Sequence, residues 1–240
     1  MYFIANWKMF GELKSLNSLH KVIKFLKNFK KNKSIKIIYC PPSTLIRPMS
    51  KKLLNSKIEV GAQNCHEHEN FGAFTGSVNS KMLKSVGAKY IIIGHSENRQ
   101  SGESNKLINL KIKSALKSGL KIIFCIGETL KEKRKKITKQ VLKKQIDLGL
   151  HKIKNKNNII LAYEPVWSIG TGLIPKNNEL TDTINFLKKK LKKNKILYGG
   201  SVNSKNIDQL KSIDILDGFL VGGASQDPKK FIDIIKKTYN

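Results

Sequence analysis

Short apolar runs recur along the whole chain. Longer stretches separate them, and in these apolar residues return every three or four positions. The runs are YFIAN (Tyr2–Asn6), IKIIYC (Ile35–Cys40), IEVGA (Ile58–Ala62), YIII (Tyr90–Ile93), LKIIFCIG (Leu120–Gly127), IILAY (Ile159–Tyr163), KILYGG (Lys195–Gly200) and GFLVGG (Gly218–Gly223). Most are apolar nearly throughout, as strands covered on both faces must be. Between them, Leu13, Leu16, Leu19, Ile23 and Leu26 form one helical stripe. Leu107, Leu110, Ile112 and Leu116 form a second, and Ile184, Leu187 and Leu191 a third. Strands alternating with helices mean parallel pairing through right-handed crossovers. Eight such units in 240 residues match the size of a closed (β/α)8 barrel. An open doubly wound sheet is the alternative. Its first βα turn would carry a glycine-rich fingerprint, which NWKMFG (Asn6–Gly11) lacks. No Pro/Ser-rich linker or composition shift divides the chain, so residues 1–240 are expected to form a single domain.

Composition narrows the setting. No run of about 18 apolar residues occurs, so no membrane span is expected. The amino terminus reads as a first strand rather than a signal peptide. Cys40, Cys65 and Cys125 are odd in number and widely spaced, without a C-x-x-C pair. That pattern fits a reducing cytoplasm better than a disulfide framework or a zinc site. The net charge of +29 raises the question of a nucleic-acid partner, because lysines that neutralise phosphates release counterions. The lysines nevertheless cluster in segments such as KEKRKK (Lys131–Lys136) and KKKLKKNK (Lys188–Lys195). These read as solvated helix faces without the interleaved aromatics of a stacking platform. No specific nucleic-acid partner is expected, while the positive field would still steer a small anion inward.

The polar motifs follow strands, and a parallel barrel gathers its chemistry at the carboxyl ends of its strands. Lys8, after the first run, is either an anion-binding point charge or one more surface lysine. His95, in GHSENRQ (Gly94–Gln100), is either a core histidine or a neutral hydrogen-bond donor held near a helix start that Ser96 would cap. Glu97 is placed to pair with Lys8 across the barrel mouth, or is an ordinary first-turn glutamate. Glu164, in AYEPVWSIGTG (Ala162–Gly172), stands between a strand and a segment built to move. Pro165 stiffens one hinge there, and Gly170 and Gly172 permit unusual dihedrals. A buried carboxylate under such a lid suits a general base, and a structural salt bridge is its alternative. GGS (Gly199–Ser201) and Gly222–Gly223 end the seventh and eighth runs, where barrels commonly bind phosphate. His66 and His68 fall short of the four ligands of a closed zinc site, and no metal is expected.

Taken together, NWKMFG, GHSENR, CIGETL, AYEPVWSIGTG, YGGSV and FLVGGAS make the chain resemble the triosephosphate isomerase family along its whole length. The resemblance implies a (β/α)8 TIM barrel. It implies interconversion of dihydroxyacetone phosphate and D-glyceraldehyde 3-phosphate through an enediolate, in glycolysis and gluconeogenesis, without cofactor or metal. It implies that Asn6 and Lys8 bind substrate and that Lys8 offsets charge on the enediolate. His95 would polarise the carbonyl, Glu164 would move the proton, and Glu97 would support Lys8. Gly170, Ser201, Gly222 and Gly223 would hold the phosphate through backbone N–H groups. The resemblance also implies a neutral histidine and a loop that closes over the substrate. The resemblance further implies a homodimer formed through the loop around Cys65–Asn79, with Thr75 near the partner's active site. The chain departs from the family pattern at Ser77, at Asn98, at Ser168, where alanine is common, and at Leu173-Ile174-Pro175, where Lys-Thr-Ala is common.

Overall fold

The computed structural model describes residues 1–30 and 34–240. Eight parallel strands close into a barrel in chain order: β1 (Tyr2–Asn6), β2 (Lys36–Cys40), β3 (Ile58–Ala62), β4 (Tyr90–Ile93), β5 (Lys121–Ile126), β6 (Ile159–Tyr163), β7 (Lys195–Tyr198) and β8 (Gly218–Val221). The seam closes with Tyr2 opposite Gly218 and Ala5 opposite Val221. The expected runs are therefore strands, but not always to their ends. Gly199–Gly200 and Gly222–Gly223 leave the ladder and turn into the barrel mouth.

Period-two alternation divides the strand side chains between two dry cores. Ile4, Ile38, Cys40, Tyr90, Ile92, Ile123, Cys125, Ile160, Ala162, Leu197 and Leu220 form the smaller one. Their strand neighbours Phe3, Ala5, Ile37, Tyr39, Ile91, Ile93 and Phe124 join helix residues in the larger one. A barrel strand has no wet face, which is why its sequence reads as an unbroken apolar run. The thiols of Cys40 and Cys65 are buried within these cores and unpaired. Burial pushes the Cys65 thiol up to about 12.

The outer helices confirm one stripe and revise two. Ile184, Leu187 and Leu191 are buried along the helix Asn177–Lys190 and its C-cap. In the helix Asn105–Lys117 the buried apolar residues are Ile108, Ile112 and Ala115, while Leu110 is 43% exposed. The expected stripe there mixes two faces: it takes in the exposed Leu110 and omits the buried Ile108 and Ala115. Leu13 opens a 3-10 turn (Leu13–Ser18) and is exposed. Val22 completes the buried row with Leu19 and Leu26 in the helix Leu19–Asn28, and Ile23 is half-buried.

Candidate active site

The carboxyl ends of β1, β4, β6, β7 and β8 surround a cleft of about 210 Å3. Asn6, Lys8, His95, Glu164, Gly170, Ser201, Gly222 and Gly223 all line it. The expected site residues thus meet at one mouth, except Glu97, which stands behind the cleft and reaches it through Lys8.

Lys8 follows β1 in a left-handed conformation, with φ of 54°. A non-glycine residue persists there only when its surroundings hold it. Its N–H donates to Asn6 Oδ1 at 3.0 Å, and its carbonyl accepts from Gln63 Nε2 at 2.8 Å. The Gln226 amide donates to Trp7 O, and the Trp7 indole to Ser225 O. The turn is therefore clamped from both neighbouring sides, and the Lys8 ammonium points across the mouth to Glu97 Oε1 at 2.6 Å. Burial alone would raise the Glu97 carboxyl. The hydrogen bond from Lys8, together with its charge, outweighs burial and leaves it below the ordinary value.

His95 sits two residues past β4, after Gly94. It is itself the N-cap of the short helix Ser96–Gln100: its Nδ1 accepts the Glu97 N–H at 3.3 Å. The expected capping role of Ser96 is therefore taken by His95. A ring nitrogen that accepts carries no proton, so in this arrangement the imidazole proton stands on Nε2. Nε2 faces Glu164 Oε1 at 3.7 Å. Both side chains are buried. Arg99, which the sequence reading passed over, supports this turn from behind. Its guanidinium donates to Gly94 O, Cys125 O and Asn105 Oδ1.

Glu164 follows β6, and its Oε2 is buried without a hydrogen-bond partner. Buried polar atoms are normally paired. A carboxylate oxygen left free beside a hydrogen-bond donor has a lone pair to spare for a proton. The Cys125 thiol lies close by; burial, and then the charge of Glu164, pushes it well above its ordinary value. The glycine pair after β7 accommodates this carboxylate. A Cβ on Gly199 would come 2.5 Å from Glu164 Cγ, and one on Gly200 would come 2.2 Å from Tyr198 Oη and 2.6 Å from Ser168 Oγ. These glycines make room for side chains as well as for an anion.

The lid runs from Pro165 through a 3-10 turn (Val166–Ser168) to Pro175. Gly170 and Gly172 have φ of 72° and 80° with open space around them, so conformation alone calls for glycine there. Glu128, after β5, anchors the first hinge. It accepts from the Trp167 indole at 2.9 Å and from Tyr163 Oη. Burial raises the Glu128 carboxyl above its ordinary value despite those donors. At the far side, Gly222 and Gly223 open a 3-10 turn (Gly223–Ser225), where the first N–H groups have no partner inside the turn. The Ser201 N–H, also expected to be free, donates to Ser168 Oγ at 3.3 Å.

The rings of His66 and His68 stand side by side, with centroids 5.2 Å apart. Both rings pack on Phe74, with centroids 4.5 Å away. No group of three or more His, Cys, Asp or Glu among the described residues is placed to hold a metal ion.

The triosephosphate isomerase family model matches residues 1–238. A triosephosphate isomerase from Thermodesulfovibrio yellowstonii is 40% identical over 244 residues, covering 98% of each chain. One from Dictyoglomus thermophilum is 40% identical, covering 97% of each. Among solved structures, triosephosphate isomerase from Bartonella henselae superposes with a TM-score of 0.89 at 32% identity, covering 100% of this chain and 99% of that one.

Proposed function

The chain belongs to the triosephosphate isomerase family, and from that premise we propose how its residues divide the work. The enzyme is an isomerase that interconverts dihydroxyacetone phosphate and D-glyceraldehyde 3-phosphate, a step of glycolysis and gluconeogenesis. Glu164 is the base: it removes the proton from the carbon beside the carbonyl and returns it to the neighbouring carbon. His95 donates from Nε2 to the carbonyl oxygen, where negative charge develops. The ammonium of Lys8 stabilises that charge, and Glu97 aims it. Asn6 holds the Lys8 turn and borders the substrate. The amides of Gly170, Ser201, Gly222 and Gly223 bind the phosphate. Phosphate binding far from the reacting carbons then helps hold the lid closed, which is remote binding energy applied to the chemical step. A covered cleft also keeps water from the enediolate, which otherwise loses phosphate.

The observation that carries this reading is the facing pair of His95 Nε2 and Glu164 Oε1, with the other carboxylate oxygen, Oε2, buried without a hydrogen-bond partner. The test is isomerisation of glyceraldehyde 3-phosphate in a coupled assay without added metal, comparing wild type, His95→Asn and Glu164→Gln. Fast wild-type turnover, with a loss of several orders of magnitude in Glu164→Gln, supports it. Equal, negligible rates in folded proteins overturn it.

The functional unit is a homodimer, in which the loop around Cys65–Asn79 docks into the partner. The exposed apolar residues Met9, Phe10, Leu13, Phe71, Phe74 and Met82 support this, since large apolar groups in water mark contact surfaces. No helix among the described residues is long and apolar enough to cross a membrane. The unpaired cysteines favour a cytoplasmic location.

A further inference from the structure

The Ser168 side chain is fully buried, and its hydroxyl is saturated. It lies 2.5 Å from Leu173 O, 2.8 Å from Tyr198 Oη and 3.3 Å from Ser201 N. A hydroxyl has one proton to give and two lone pairs to fill. A carbonyl oxygen can only accept and an amide N–H can only donate. The Ser168 proton therefore goes to Leu173 O, and Ser168 Oγ accepts from the Ser201 N–H. Its remaining lone pair takes the proton of Tyr198, whose hydroxyl burial keeps protonated.

These partners have a purpose in common. Ser168 ends the first hinge of the lid and Leu173 begins the second. Tyr198 ends β7, and Ser201 lies on the phosphate loop that follows it. Gly200 leaves room for the junction, since a Cβ there would collide with Ser168 Oγ and Tyr198 Oη. In this arrangement the lid residues Ile169 and Gly170 line the same cleft as Ser201 and Gly222.

We propose that Ser168 is a positioning residue that ties both ends of the lid to the phosphate loop, so that phosphate capture and lid position are set together. The inference rests on the reading of this cleft as the triose-phosphate site. When the substrate phosphate accepts from the Ser201 N–H, it competes with Ser168 Oγ for that one proton, and the junction that sets the lid responds directly. The lid thus closes on the phosphate end of the substrate rather than on the reacting carbons.

The experiment compares wild type, Ser168→Ala, Tyr198→Phe and the double variant. It measures kcat and KM for glyceraldehyde 3-phosphate, and inorganic phosphate released per isomerisation event. It also follows the fluorescence of Trp167, inside the lid, as inorganic phosphate is added. Loss of the hydroxyl is expected to lower kcat/KM about tenfold, raise the share of turnovers that release phosphate, and shrink the Trp167 response. Tyr198→Phe is expected to reproduce these changes, and the double variant to be no worse than the poorer single one, because both act through one junction. Tyr198→Phe keeps the test open if Ser168→Ala fails to fold. Unchanged kinetics, phosphate release and fluorescence overturn the inference, even if thermal stability falls. So do effects that multiply in the double variant. A wild-type protein that does not isomerise triose phosphates overturns the underlying function instead.

Discussion

His95 Nε2 stands 3.7 Å from Glu164 Oε1, with both side chains shut away from solvent. The other ring nitrogen of His95 is occupied by the Glu97 N–H. Glu97 in turn receives the Lys8 ammonium at 2.6 Å. One helix turn therefore orients the histidine through its backbone and the lysine through its side chain. A donor, a cation and an acceptor converge on one small cleft, the donor and the acceptor buried and the cation held by Glu97 at its rim.

Lys8→Met tests the cation. The substitution keeps the stem and removes the charge, and the left-handed backbone at position 8 is no harder for methionine than for lysine. The expected loss is about 10²–10³ in kcat/KM, typical for removing one preorganised group that stabilises developing charge. Melting temperature is expected to move little. Steady-state kinetics beside a thermal melt checks both, and activity within twofold of wild type removes the charge-stabilising role.

Gly199→Ala tests the fit around the base. A Cβ there comes 2.5 Å from Glu164 Cγ, so the carboxylate must shift. Displacing a reacting group by about 1 Å costs on the order of 10²-fold in rate, and that loss is expected in kcat with a smaller change in KM. A variant with wild-type kcat would show that Glu164 has slack.

Much of this was legible in the chain. β1, β3, β4 and β6 carry the expected ends because dry, doubly covered strands leave unbroken apolar runs. Lys8, His95, Glu164 and the glycine pairs stand out because polar residues at strand ends interrupt that apolarity. The tertiary supports were not legible. Arg99, Gln63 and Gln226 lie in ordinary polar surroundings in sequence, and only folding brings their donors to backbone carbonyls. Nothing in CIGETL marks Glu128 as the residue on which Trp167 and Tyr163 converge. Gly199 and Gly200 signalled an anion, whereas the side chains they make room for come from β6, the lid and β7. The helix stripes err where Val22, Ile108 and Ala115 do the packing that neighbouring leucines were expected to do.

Glu128 gives a pH dependence with a definite sign. Burial holds its folded-state carboxyl above the unfolded value. Its contribution to stability is therefore fully present below the unfolded value and is lost as pH rises through the raised folded one. Glu128→Gln keeps an acceptor for Trp167 and removes the charge. Relative to wild type, the variant is expected to gain stability on going from pH 5 to pH 7.5. Urea unfolding at the two pH values checks this. A relative loss over the same interval would reverse the sign assigned to the site.

The assembly prediction is a dimer in solution. Sedimentation at micromolar concentration is expected to give a species near twice 27.1 kDa. Phe71→Asp, on the loop after β3, is expected to shift it toward monomer with reduced activity. A fully active monomeric wild type would remove the loop from the functional account.

The most direct measurement follows the proton itself. Dihydroxyacetone phosphate is converted in D2O, and deuterium is measured at the carbon that receives the proton. Wild type is expected to deliver deuterium there in step with turnover. Glu164→Gln, which cannot accept a proton, is expected to do so about 10²–10⁴-fold more slowly. A folded Glu164→Gln protein that incorporates deuterium at the wild-type rate would contradict the assignment of Glu164 as the base.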